Sequence, residues 1–197
     1  MPAFRAVADP SLARLGLAGA WIDVWLGDSG LILADSGDAR VDIPFDAIDR
    51  ARFGYQTSRM GGRIYDTRLW THRAPRPLLL RLAARETNPG YEGVARGLAA
   101  AIAARRGLGA VEAGVDWGWA LACAAFAAAF VGCDSWATVR SIREGEPLWV
   151  VLIFPAIALI LGGLFGYTFV RLYRPRRLDR LDQLEPFIGR DSRPWLF

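Results

Sequence analysis

The sequence predicts an α+β domain, an antiparallel sheet followed by one long helix, and then two transmembrane α-helices. Three observations carry that prediction. Residues 20 to 84 alternate short apolar runs with turn clusters, residues 88 to 107 read as a capped amphipathic helix, and residues 148 to 170 hold no charged side chain.

The N-terminal segment, 1–19, lacks the uninterrupted apolar core of a signal peptide, because Pro2, Arg5, Asp9, Pro10 and Arg14 break it. Strands follow it. "AWIDVWL" leads through Gly27-Asp28-Ser29-Gly30 into "LILA", and Asp35-Ser36-Gly37-Asp38 leads into "ARVDI", which is hairpin chemistry. Ile43-Pro44 begins a corner, residues 48–57 extend again, Gly61-Gly62 makes a turn, and residues 63–71 and 78–84 follow around Pro75 and Pro77. Six strands are therefore expected. Asn88 caps the helix with Pro89 at its first position, the helix stops near Gly107, and Tyr91, Val94, Leu98 and Ile102 give it one apolar face.

The stretch "GLILADSGDARVDIPFDAIDRARF", residues 30 to 53, resembles bacterial pleckstrin-homology-like (PH-like) domains at Ile43, Pro44, Phe45 and Ile48. The resemblance spans residues 20–106. It implies an antiparallel PH-like sheet or barrel with a C-terminal capping helix, in a module that sits beside membrane spans and is not an enzyme. One strand of that pattern is not visible in the sequence.

A linker at 107–116 leads to the alanine-rich run "WGWALACAAFAAAFVGC", which opens a first span at 117–137. An external loop, 138–147, separates it from a second span at 148–170, which as a helix would be about 34 Å long. Ala124 and Ala128 on the first helix, and Gly162 and Gly166 on the second, would let the two pack closely. The connection from Asp134 to Pro147 has two arginines against three acids, whereas seven arginines follow residue 170, so both termini are expected in the cytoplasm. All 24 basic residues are arginine, a usage that suggests a GC-rich genome and hence a bacterial inner membrane. The tail, 171–197, is basic and amphipathic. Arg171, Arg174, Arg176 and Arg177 stand at the membrane exit, and Leu178, Leu181, Leu184 and Ile188 share a face that would lie on the membrane or on the β domain.

Charge and composition narrow the function classes. Residues 1 to 116 hold fifteen arginines against thirteen acids, too even a balance for nucleic-acid binding. Two cysteines and one histidine compose neither a zinc site nor a disulfide framework within the chain, and no motif calls for a cofactor. His72 and Asp66 lie six residues apart on a strand, a poor arrangement for a catalytic pair. The charges are polarised: residues 23 to 49 carry seven aspartates and one arginine, residues 50 to 85 nine arginines and one aspartate. "RMGGRIYDTRLWTHRAPR" concentrates Arg59, Arg63, Arg68, Arg73 and Arg76. These either pair across strands with the aspartates or form a basic edge for anionic lipid head groups or a protein. The expected function is a membrane-anchored, cytoplasm-facing adaptor, regulator or accessory subunit with a protein partner or further copies of itself. The alternative is a membrane enzyme whose site a partner subunit completes.

Overall fold

A computed structural model of the chain describes residues 3–57, 63–72, 74–82, 89–114, 117–145 and 147–188. The chain divides into two units, residues 1–114 with 175–197, and residues 115–174. In chain order the elements are β1 (Ala3–Val7), α1 (Pro10–Ala13), β2 (Trp21–Leu26), β3 (Gly30–Asp35), β4 (Arg40–Pro44), β5 (Ile48–Thr57), β6 (Arg63–Thr71), β7 (Leu78–Leu82), α2 (Pro89–Arg106) and β8 (Val111–Ala113). The second unit contributes α3 (Trp117–Glu144) and α4 (Leu148–Tyr173); the chain then returns with β9 (Arg176–Arg177) and α5 (Glu185–Ile188).

Strands form at all six segments where apolar alternation is read in the sequence, and a seventh, β1, lies within the N-terminal segment. Asp9 ends it: its Oδ1 accepts the Ser11 N–H at 2.8 Å and caps α1. Five residues stopped by a capped turn are too few for alternation to show. β1 nonetheless sits inside the sheet, pairing Phe4 with Val24 and Ala6 with both Ile22 and Leu82.

Alternation then decides the core. Ile22, Val24, Leu31, Leu33, Phe53, Leu69, Leu78 and Leu80 point to one face and are buried with Tyr91, Val94, Leu98 and Ile102 of α2. Gly90 permits the approach of α2 to β1, since a Cβ there would stand 1.5 Å from the Ala3 carbonyl oxygen. At the next residue the Tyr91 ring meets Phe4 edge-on at 5.1 Å, and its hydroxyl lies 3.0 Å from Thr67 Oγ1. Burial pushes the Tyr91 phenol far above its ordinary pKa, so the group stays neutral.

The seven-stranded PH-like sheet or barrel closed by its helix is not what forms. Among the described residues the sheet has nine strands, in the linear order β4-β3-β2-β1-β7-β6-β5-β8-β9. β8 runs parallel to β5 and β9 antiparallel to β8. The cause is apolar: Val111 and Ala113, within the stretch read as linker, pair beside Ala51 and Phe53 and are fully buried. The chain after β9 belongs to the same core, where Leu178, Leu184, Phe187 and Ile188 are buried and Arg96 holds Glu185 through two hydrogen bonds of 2.7 and 2.5 Å.

In the second unit, α3 continues through 138–144, the residues read as a loop. Thr138 Oγ1 donates to the Asp134 carbonyl and Arg140 pairs with Glu144 one turn away. Gly145, at φ +75°, then ends the helix in a conformation that glycine adopts without strain. The expectation that this hairpin crosses a membrane is corrected: among the described residues no helix is long and apolar enough to do so. In α3 the uncharged run stops at Cys133, and the helix goes on to include Asp134, Arg140, Arg143 and Glu144. The expectations built on the spans are withdrawn with them: the membrane keywords, the integral-membrane and anionic-lipid partners, the inner-membrane location and the cytoplasmic placement of both termini.

Candidate interaction surfaces

On the face of the sheet away from α2, the pairing β6–β5–β8–β9 brings together side chains that are distant in sequence. Arg50 lies opposite Trp70, Arg52 opposite both Arg68 and Glu112, and Glu112 opposite Arg177. Glu112 is buried to 7% exposure and accepts from Arg50 Nη1 at 3.2 Å and from Arg52 Nε at 3.0 Å. Both guanidinium groups also stack over Trp70, at 4.0 and 5.1 Å from the ring centroid. A carboxylate gripped by two arginines that share an aromatic platform is a rigid, internally satisfied cluster.

This answers where the charge polarity goes. Four of the seven aspartates of residues 23–49 pair outside the arginine run that follows them. Asp23 pairs with Arg5, Asp42 with Arg40, and Asp46 and Asp49 with Arg105 and Arg106 of α2. Among the sequence candidates, Arg68 joins the edge of the Trp70 cluster, Arg76 is exposed in the loop before β7, and Arg174, Arg176 and Arg177 are exposed around β9. Arg59 and Arg73 lie outside the described residues, as do the side chains of Arg63 and Arg171. His72 is exposed at the end of β6, and Asp66 is buried. Among the described residues no group of His, Cys, Asp and Glu is placed to hold a metal.

Asp35 is a hub that charge counting alone does not reveal. Its Oδ2 accepts the N–H groups of Ala18 and Gly19 at 2.8 and 3.2 Å, and its Oδ1 those of Gly37 and Ala39 at 2.8 and 3.1 Å. The Ala18 bond foremost, then those of Gly37, Ala39 and Gly19, holds the carboxyl below its ordinary range. One side chain thereby ties the segment before β2 to the β3–β4 turn. The signal available in sequence was the Asp-x-Gly turn, which accounts for half of these bonds.

The hairpin is organised the other way round. Ala124, Ala127, Val131, Asp134, Thr138 and Ser141 are the half-buried residues along α3, spaced by three and four, and mark its face towards α4. Opposite them Ala158 is buried and Gly162 makes the close approach: a Cβ on it would lie 2.7 Å from Val131 Cγ2. Gly166 follows, facing Ala127. Gly162 and Gly166 thus serve helix packing, Ala124 lies on the same seam, and Ala128 is exposed, one position out of phase with Ala127. Large apolar side chains point away from the contact: Leu121, Phe126, Phe130, Trp136, Val139 and Ile142 on α3, and Leu152, Ile153, Ile157, Leu159, Ile160 and Leu164 on α4, are all exposed.

No family model, curated protein or solved structure matches this chain. The resemblance to PH-like domains therefore has no relative to stand on, and it is withdrawn together with the barrel it implied.

Proposed function

We propose that the chain is a protein-interaction module, an adaptor, regulator or accessory subunit, and that a protein covers its helical hairpin. The observation that carries this reading is the exposure of twelve large apolar side chains along α3 and α4, beside a contact lined by alanine, glycine, serine and threonine. So many exposed large apolar side chains are costly in water and mark an interaction site. In the sheet unit Glu112, Arg50 and Arg52 are tied to one another.

The test uses the full chain, purified gently and weighed by native mass measurement. A stoichiometric protein component, either another polypeptide or further copies, is expected with the wild type, and should be lost on Phe126→Gln combined with Ile157→Gln while thermal unfolding of the sheet is unchanged. A wild-type chain that is monodisperse, monomeric and free of bound protein overturns the reading.

A further inference from the structure

Six adjacent strands, β2-β1-β7-β6-β5-β8, each place one charged side chain in a single row on the sheet face away from α2. The row reads Asp23, Arg5, Arg81, Arg68, Arg52 and Glu112. Asp23 lies opposite Arg5 and Arg52 opposite both Arg68 and Glu112, while Arg81 is one diagonal step from Arg5 and one from Arg68. Four arginines on neighbouring strands thus span about 14 Å at the usual strand spacing. Carboxylates close this basic run at both ends, and in the same way: Arg5 Nε donates to Asp23 and Arg52 Nε to Glu112, each at 3.0 Å.

Arg81, inside the run, is different. Its Nε is buried and makes no hydrogen bond among the described residues, an arrangement that costs free energy and is rare in folded proteins. Asp66, directly opposite on β6, leans the other way: its Oδ1 lies 3.0 Å from where a Cβ on Gly54 of β5 would stand. Arg81 as a whole is only half-buried, so its guanidinium has room to turn towards an anion brought from outside.

We propose that this run docks an acidic peptide segment of a partner protein, and that a carboxylate of the segment completes Arg81. The proposal goes beyond the reading of the hairpin and uses a different surface. Charge complementarity carries it, since the row sets four arginines against two acids and the acids stand only at its ends. A nucleic-acid strand fits less well. Its phosphates would run on into Asp23 or Glu112, and Trp70, the aromatic ring beside the run, is already stacked with Arg50 and Arg52.

The test follows binding of fluorescein-labelled hexaglutamate to the full chain by anisotropy. Binding that weakens as salt is raised is expected. Arg81→Met should lower the affinity roughly tenfold. The same variant should unfold at no lower urea than wild type, because it removes a buried donor that has no partner and keeps the apolar stem. Arg40→Gln, on the edge strand β4, and Phe126→Gln combined with Ile157→Gln, on the hairpin, should leave binding unchanged. Absence of binding, equal binding by Arg81→Met and wild type, or an Arg81→Met chain that fails to fold overturns the proposal. So does loss of binding on the hairpin substitutions, which would place the peptide there, or tighter binding of an oligothymidylate of equal charge, which would make the ligand a nucleic acid.

Discussion

In the sheet unit Phe53 is fully buried while Arg50, Arg52 and Trp70 stand on the outer face. In the hairpin unit Phe126 is 76% exposed, while Asp134, Thr138 and Ser141 lie half-buried on the side towards α4. The first unit places its apolar area against itself, so burial of its own side chains supplies its stability. The second joins two helices through small residues and leaves its large ones outside, so its stability depends on what covers them. The difference teaches that strong apolar periodicity is not by itself evidence of a completed core; which residues face the partner helix decides.

The largest effect expected from that contrast is a pair of truncations. Phe53→Ala should destabilise the sheet unit by about 3–5 kcal/mol in urea unfolding, from lost burial and the cavity left behind. Phe126→Ala should leave that transition where it is. Equal effects would mean that the two units do not bury their phenylalanines in opposite ways.

Next comes the charge cluster. Glu112→Ala leaves Arg52, whose side chain is 13% exposed, without its carboxylate. A loss of about 2–3 kcal/mol is expected, below the range for a fully buried pair because Arg50 reaches solvent. Arg40→Ala, which breaks an exposed pair with Asp42, should cost under ~0.5 kcal/mol. A smaller step is Tyr91→Phe, which removes the hydroxyl at Thr67 and should cost ~1 kcal/mol in the same urea experiment, with no change in the hairpin's association.

Six strands and α2 were legible because alternation and helical spacing act within a few residues, while the cap expected at Asn88 lies outside the described residues. β1 was not, because Asp9 stops it after five residues, and β8 was not, because three residues carry no period. Their place in the sheet comes from pairing with residues 14 to 76 positions away, such as Val111 with Ala51. The same limit applies to the surfaces. Gly162 and Gly166 could be read as packing residues from their spacing. The grip of Arg50 and Arg52 on Glu112 could not, because the acid lies sixty residues on, in a segment that reads as linker. Alternation in "DRARF" did place both arginines on one face, which was the available half of the signal.

A further predicted effect is one of pH. The folded-state pKa of Asp35 is depressed below 3.8, so the stability it contributes is fully present above that value and lost as pH falls through the folded pKa. Asp35→Asn should therefore melt lower than wild type near neutral pH, and the gap should close once the wild-type carboxyl is protonated. A gap that stays constant from neutral pH into strong acid would show that its four hydrogen bonds do not depend on charge.

The contrast between the two units predicts that the sheet unit folds without the hairpin. β8 and β9 pair Ala113 with Arg176, so Gly114 and Pro175 can be joined through two glycines in place of residues 115–174. The shortened chain should unfold in one cooperative transition, remain monomeric and keep the stability of the sheet in the full chain. A shortened chain that does not fold, or that associates as strongly as the full chain does, would contradict it.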